Sequence, residues 1–282
     1  GTLVYVVLRE TAPQPLAMLL AFVVGGVVAG LFGFLVGIPV LRLSGDYLAI
    51  VTLAFGEIVK NVMNACYLGL DSRGLHFSLK DSASLNLEAD GKVLINGAMG
   101  ITGIKKASTF TIGIVLVIIT LLVILNLVNS RAGRAITAIR DNEIAADAMG
   151  INTTKYKIMS FCIAAFIAGV AGGLYAHVLS FIQPDSFSFT KSSDFLVYLY
   201  AGGSGSLTGS VIGAVLLTIL PEATRSFADW RLVLYALILV VVMLYRSEGL
   251  CGGKEVPFLR IKRSSLYEQP LFGRKKNDTS KK

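Results

Sequence analysis

Long apolar stretches alternate with short polar ones along this chain. Residues 11–41, 109–128, 158–177 and 195–221 contain no Asp, Glu, Lys or Arg. A helix needs roughly 20 apolar residues to cross the hydrocarbon core of a bilayer. A soluble core of this size has room for one such helix, not four. The pattern predicts an all-α fold, a polytopic transmembrane helical bundle. Helices are expected at about 15–41, 47–65, 109–128, 158–181 and 230–245, preceded by the end of an apolar helix at 2–8. The run 195–221 is interrupted by Gly and Ser, which break helices. It reads as a hairpin: one helix ending near Ala201, a break across 202–209, and a second helix to Leu220.

Composition agrees with a lipid-facing surface. The chain is 54% hydrophobic and only 16% charged, with mean hydropathy +0.69; soluble domains carry about 25% charged residues. The net charge of +8 would suggest nucleic acid for a soluble protein. Here it is concentrated in two places. Residues 246–282 hold ten Lys/Arg against four Asp/Glu, and residues 129–157 hold five against three. Basic segments flanking spanning helices stay in the cytoplasm, so the charge is a topology signal. Membrane lipid, and no nucleic acid, is the expected partner.

Counting crossings back from a cytoplasmic tail gives the organisation. Residues 1–250 form a transmembrane domain and 251–282 a basic cytoplasmic tail. Within the domain, 129–157 is a cytoplasmic loop and 66–106 an external insertion. Asp90–Gly91 suits a hairpin turn between 85–87 and 93–95. The first residue is Gly rather than Met, and 2–8 reads as the tail of a helix, so further helices are expected upstream. Cys66, Cys162 and Cys251 lie in separate segments without metal or CxxC spacing, so neither a disulfide nor a metal site is expected. Small residues recur four apart at Gly26, Gly30; Gly33, Gly37; Gly169, Gly173; and Gly205, Gly209, Gly213. Such faces let helices pack closely in lipid.

Three segments carry candidate chemistry. Residues 134–149 alternate polar and apolar positions at helical spacing, and Gly150 is a natural stop. This predicts one short, charged, Ala-rich helix, either a solvated connector or an element that docks on a partner. Glu57 and Lys60 lie one turn apart in an expected span, where an unpaired charge costs roughly 2.5–3.5 kcal/mol. They pair with each other or with Arg42, line a polar path, or relay protons. The Gly202–Gly209 break is a plain turn or a gate facing a wet cavity, the one place where non-helical backbone is tolerated at depth.

Residues 130–151, SRAGRAITAIRDNEIAADAMGI, resemble the coupling loop of the LivM-type branched-chain amino acid ABC permeases. RLSGDYLAIVTLAFGEIV at 42–59, SFIQPDSFSF at 180–189, GGSGSLTGSVIGA at 202–214 and PEATRSF at 221–227 are similar to the same family. The likeness covers nearly the whole chain. Two departures stand out. The family's upstream helices with a GQLSLG-like stretch are absent, and its NGL/TGI-like segment, here NGAMGITGI at 96–104, is displaced by roughly 30 residues of insertion.

The resemblance implies a permease subunit of an ATP-binding cassette importer for branched-chain or related hydrophobic amino acids, multi-pass in the bacterial inner membrane. It implies a second, LivH-like permease subunit, two cytoplasmic ATPase subunits, and a periplasmic or lipid-anchored substrate-binding protein. It implies no cofactor on this chain, ATP being bound by the partners, and no catalytic residue. Coupling to the ATPase would fall to Arg134, Arg140, Asp141, Glu143, Ala145, Ala146 and Gly150. The translocation path or gate would involve Tyr47, Glu57, Gly202, Gly203, Gly205 and Gly209. Two other classes compete. An ion-coupled secondary transporter would need intramembrane charges, for which only Glu57 and Lys60 stand ready, and would run without an ATPase; no GxxxxGK[ST] occurs in this chain. An intramembrane serine hydrolase would use Ser204 of GGSG with His177, but in rhomboid proteases the His follows the Ser, whereas His76 and His177 both precede it.

Overall fold

The computed structural model describes residues 1–8, 13–41, 43, 46–71, 74–80, 92–101, 104, 106, 108–203, 205–223 and 240. The expected helix at 230–245, apart from Val240, and the basic tail lie outside the described residues. The chain divides into two compact units, Gly1–Leu196 and Val197–Lys282.

The first unit is built on an antiparallel helix pair. α2 (Gln14–Val40) and α7 (Thr153–Leu179) have 27 residues each, about 40 Å at 1.5 Å per residue. With α4 (Phe110–Asn129) they are the described helices long and apolar enough to cross a membrane. Small residues make the α2/α7 seam. A Cβ at Gly173 would lie 2.9 Å from the Phe22 ring, one at Gly169 2.6 Å from the Ala29 Cβ, and one at Gly37 3.3 Å from the Phe161 ring. In lipid, where water drives nothing together, this closeness supplies the van der Waals contact that holds helices. α7 starts at Thr153, five residues before the uncharged run, because the Asn152 side chain accepts from the Lys155 N–H at 3.0 Å and caps the first turn.

A small core closes the far end of this pair. Tyr5 of α1 (Thr2–Leu8) packs with Ala17, Met18, Ala21 and Phe22 of α2 and with Ala176 of α7. His177 is fully buried beside them. Its Nδ1 sits 2.7 Å from the Gly173 carbonyl and donates to it, and its ring meets Tyr5 edge-on at 4.4 Å between centroids. α4, by contrast, has no buried residue. A helix this apolar with no fully buried residue fits a lipid-facing position, not a water-facing one.

Among the described residues, the segment 66–106 contains a three-stranded antiparallel sheet in the order β2-β1-β3, formed by β1 (Tyr67–Asp71), β2 (Gly74–Ser78) and β3 (Lys92–Asn96). The expected hairpin paired 93–95 with 85–87. Among the described residues β3 pairs with β1; 85–87, and with them the expected hairpin, lie outside the described residues. The Gly97 N–H donating to the Cys66 carbonyl at 3.1 Å holds β3 to the start of β1. Ile95 of β3 joins the core cluster with Tyr5 and Ala176.

Two contacts fix which ends of the helices meet. Ile101 and Ile182 exchange backbone hydrogen bonds of 2.9 and 3.0 Å, so the segment after the sheet lies against the turn that follows α7. At the opposite end Leu41, Leu43 and Leu48 share a groove with Ile136, Ile139 and Phe161. Leu48 belongs to α3 (Asp46–Asn64). α3 therefore starts beside the beginning of α7 and finishes near its end, running its length despite three charged residues.

The second unit holds the end of α8 (Phe189–Gly202) and α9 (Leu207–Ala223). The break between them is narrower than 202–209. Gly203, at φ 112°, adopts backbone that side chains resist. Ser206 then caps α9 by accepting from the Gly209 N–H at 3.1 Å. Gly202 and Gly209 are thus helical. Smallness at this hairpin serves approach instead, since a Cβ at Gly213 would lie 2.6 Å from the Gly202 Cα.

Candidate functional site

The loop at the α4–α7 end is two helices, not the single helix predicted over 134–149. α5 covers Arg131–Asp141 and α6 covers Glu143–Ala148. Asn142 causes the break. Its backbone is extended (φ −159°, ψ 108°), and its Oδ1 accepts from the Ala145 N–H at 3.0 Å. An Asn side chain that satisfies a helix's first free N–H groups favours starting a helix over continuing one. Ser130 caps α5 in the same way, accepting from Gly133 N at 3.1 Å. α6 closes with paired bonds from Gly150 N to Asp147 O (2.9 Å) and from Ile151 N to Ala146 O (3.1 Å). This closure needs the left-handed backbone that Gly150 supplies at φ 81°.

The coupling candidates separate by position. Lys157 of α7 binds Glu143 at 2.5 Å, which fixes α6 to the spanning pair. Arg140 bonds to Asp141 at 3.1 Å, and Arg134 donates to the Asn129 carbonyl at 3.3 Å; both bonds are local and exposed. Ala145 faces outward, whereas Ala146 is buried. Ile136 and Ile139 turn inward to a groove of about 460 Å³ against Leu41, Leu43 and Phe161. On the outer side, Ile144 and Met149 are each 83% exposed. Sequence reasoning missed both, because amphipathicity marks apolar residues as inward. The clue was their place on, and just after, a six-residue helix too short to bury two faces.

A second polar constellation lies on α3. Glu57, Lys60 and Asn64 recur at i, i+3 and i+7, one helical face. Lys60 pairs with Glu57 at 2.6 Å, one of the partners the sequence left open. Asn64 Nδ2 donates to Asp185 Oδ1 at 3.1 Å, and Asp185 sits in the 3-10 turn Pro184–Phe187. Asn64 and Asp185 were not singled out in the sequence, since 121 residues separate them. Tyr47 does not join this group. It is ten residues and about 15 Å of helix rise from Glu57. Ser204 lies outside the described residues.

Nothing in these constellations arranges a nucleophile with a base. What they offer is an exposed apolar knob, anchored to α7, and a polar stripe along one face of α3. Comparison with known proteins points the same way. A family model described as branched-chain amino acid transport system / permease component matches residues 1–245. The chain is 35% identical over 235 residues to the high-affinity branched-chain amino acid transport system permease protein LivM of Salmonella typhimurium, covering 80% of this chain and 55% of that protein. LivM of Escherichia coli matches at 33% over 237 residues, covering 80% and 56%. LivH of Escherichia coli matches at 31% over 157 residues, covering 54% and 51%. The chain spans about half the length of these curated relatives. No solved structure matches.

Proposed function

This chain belongs to the branched-chain amino acid transport permease family, and from that premise we propose that it is a LivM-type subunit of an ATP-driven importer for branched-chain or related hydrophobic amino acids. It pairs with a LivH-like permease subunit, with which it encloses the path. Two cytoplasmic ATPase subunits bind and hydrolyse ATP, and a periplasmic or lipid-anchored binding protein delivers the substrate. The chain itself carries out no catalysis and needs no cofactor. It sits in the bacterial inner membrane with the α5–α6 loop and the tail 251–282 inside and the sheet outside.

One observation carries this reading: α6 and its capping residue present Ile144 and Met149 bare while Glu143 is tied to Lys157. A connector has no reason to expose apolar residues on a braced helix. An element that enters a groove on a partner and passes motion to α7 needs both features. Arg140 and Asp141 at its margin suit the rim of such an interface, where charges steer more than they bind.

Co-purification tests the assembly. The tagged chain, extracted in mild detergent, is expected to bring a second permease and an ATPase with it. A permease that comes alone and still supports uptake would belong to the secondary-transporter class.

A further inference from the structure

The polar stripe on α3 has the composition of a receptor for an amino acid's head group. Glu57 and Lys60 are paired at 2.6 Å, with side chains 42% and 19% exposed, so the pair is open on one side. Asp185 and the Phe189 backbone lie within electrostatic reach of Glu57. Asn64 gives its amide N–H to Asp185 while its Oδ1 is buried without a hydrogen-bond partner. The group thus holds two carboxylates, one ammonium and one unused acceptor. An unmet buried acceptor costs about 1–3 kcal/mol, and among the described residues the Asp185 carboxylate has no cation paired to it. Both deficits call for a cationic hydrogen-bond donor.

Resting on the amino acid importer reading above, we propose that Glu57, Lys60, Asn64 and Asp185 form a transit site for the zwitterionic head of the substrate. The substrate ammonium lies between the Glu57 and Asp185 carboxylates with Asn64 Oδ1 as third acceptor. Lys60 turns from Glu57 to the substrate carboxylate. A zwitterion brings no net charge, so the site exchanges an internal ion pair for two external ones without burying an unpaired ion. The site stands toward the sheet end of α3, next to the turn after α7, where an amino acid released from outside would first meet the bundle. The apolar side chain needs no partner here, which fits a site that accepts several hydrophobic amino acids.

The test uses the full complex in proteoliposomes, with ATP inside and binding protein and labelled leucine outside. Asp185→Asn, in an exposed turn, and Lys60→Met are each expected to lower uptake about tenfold, the weight of one charge-assisted bond. ATPase activity stimulated by the binding protein stays near wild type, and Lys60→Arg restores uptake. The decisive variant is the swap Glu57→Lys with Lys60→Glu. It rebuilds a structural pair but leaves Asp185 and Asn64 facing the wrong charge, so uptake is expected to stay low. Wild-type uptake in the swap, or in Asp185→Asn, would overturn the site. A wild-type complex that accumulates no amino acid overturns the functional reading together with it.

Discussion

Ile144→Asp is expected to reduce amino acid uptake at least tenfold while the subunit folds and inserts normally. The side chain is 83% exposed, so removing it empties no core, and surface changes of this kind stay within about 0.5 kcal/mol. Aspartate even suits the position, the second residue of α6, because carboxylates favour helix N-termini. The penalty falls elsewhere. If Ile144 enters an apolar groove on the ATPase, a carboxylate there must be desolvated without a partner, which costs several kcal/mol. Coupling is then lost: uptake drops, and ATP hydrolysis no longer responds to the binding protein. Uptake at the wild-type rate would leave the loop a connector. Ala146→Trp is the poorer probe, since Ala146 is 4% exposed and an indole would distort α6 itself.

Gly169→Leu is expected to abolish the folded subunit. A Cβ there would lie 2.6 Å from the Ala29 Cβ and 2.7 Å from the Gly25 carbonyl oxygen. The second of these is helix backbone and cannot rotate away. Overpacking a tight seam costs about 1–3 kcal/mol, occasionally more. The α2/α7 seam is the main helix contact of its unit, so the cost should sit at or above the top of that range. Gly172→Leu is the control, three residues along the same helix, where a Cβ meets nothing within 4 Å. Monodisperse yield after size exclusion, with Tm in detergent, should separate the two sharply. Equal yields would mean that α2 and α7 do not pack through this face.

Most of the bundle was legible in the sequence because its main signal is local. Uncharged runs of membrane length predicted α2, α4 and α7, and glycines four apart marked faces for close packing, which the structure uses between α2 and α7. What escaped was decided by single side chains or by distant partners. Asn142 carries little weight in a hydrophobic pattern, yet its side-chain bond to Ala145 N divides the predicted loop helix in two. Gly209 reads as a breaker, but the Ser206 cap begins α9 before it. The pairing of β3 with β1, and of Asn64 with Asp185, joins residues far apart in the chain. Periodicity cannot report such contacts. The candidate site was half visible for the same reason: Glu57 and Lys60 announce themselves as charges in an apolar helix, whereas their polar neighbours Asn64 and Asp185 acquire meaning only once the turn after α7 folds back onto α3.

The measurement that bears most directly on the account is leucine accumulation by the reconstituted assembly, with ATP supplied on the side of the α5–α6 loop and the binding protein on the side of the sheet. The account predicts accumulation that requires this subunit, the ATPase and ATP together, and that persists when proton and sodium gradients are collapsed. Accumulation that proceeds without ATP, or that is unchanged when this subunit is left out, would contradict it.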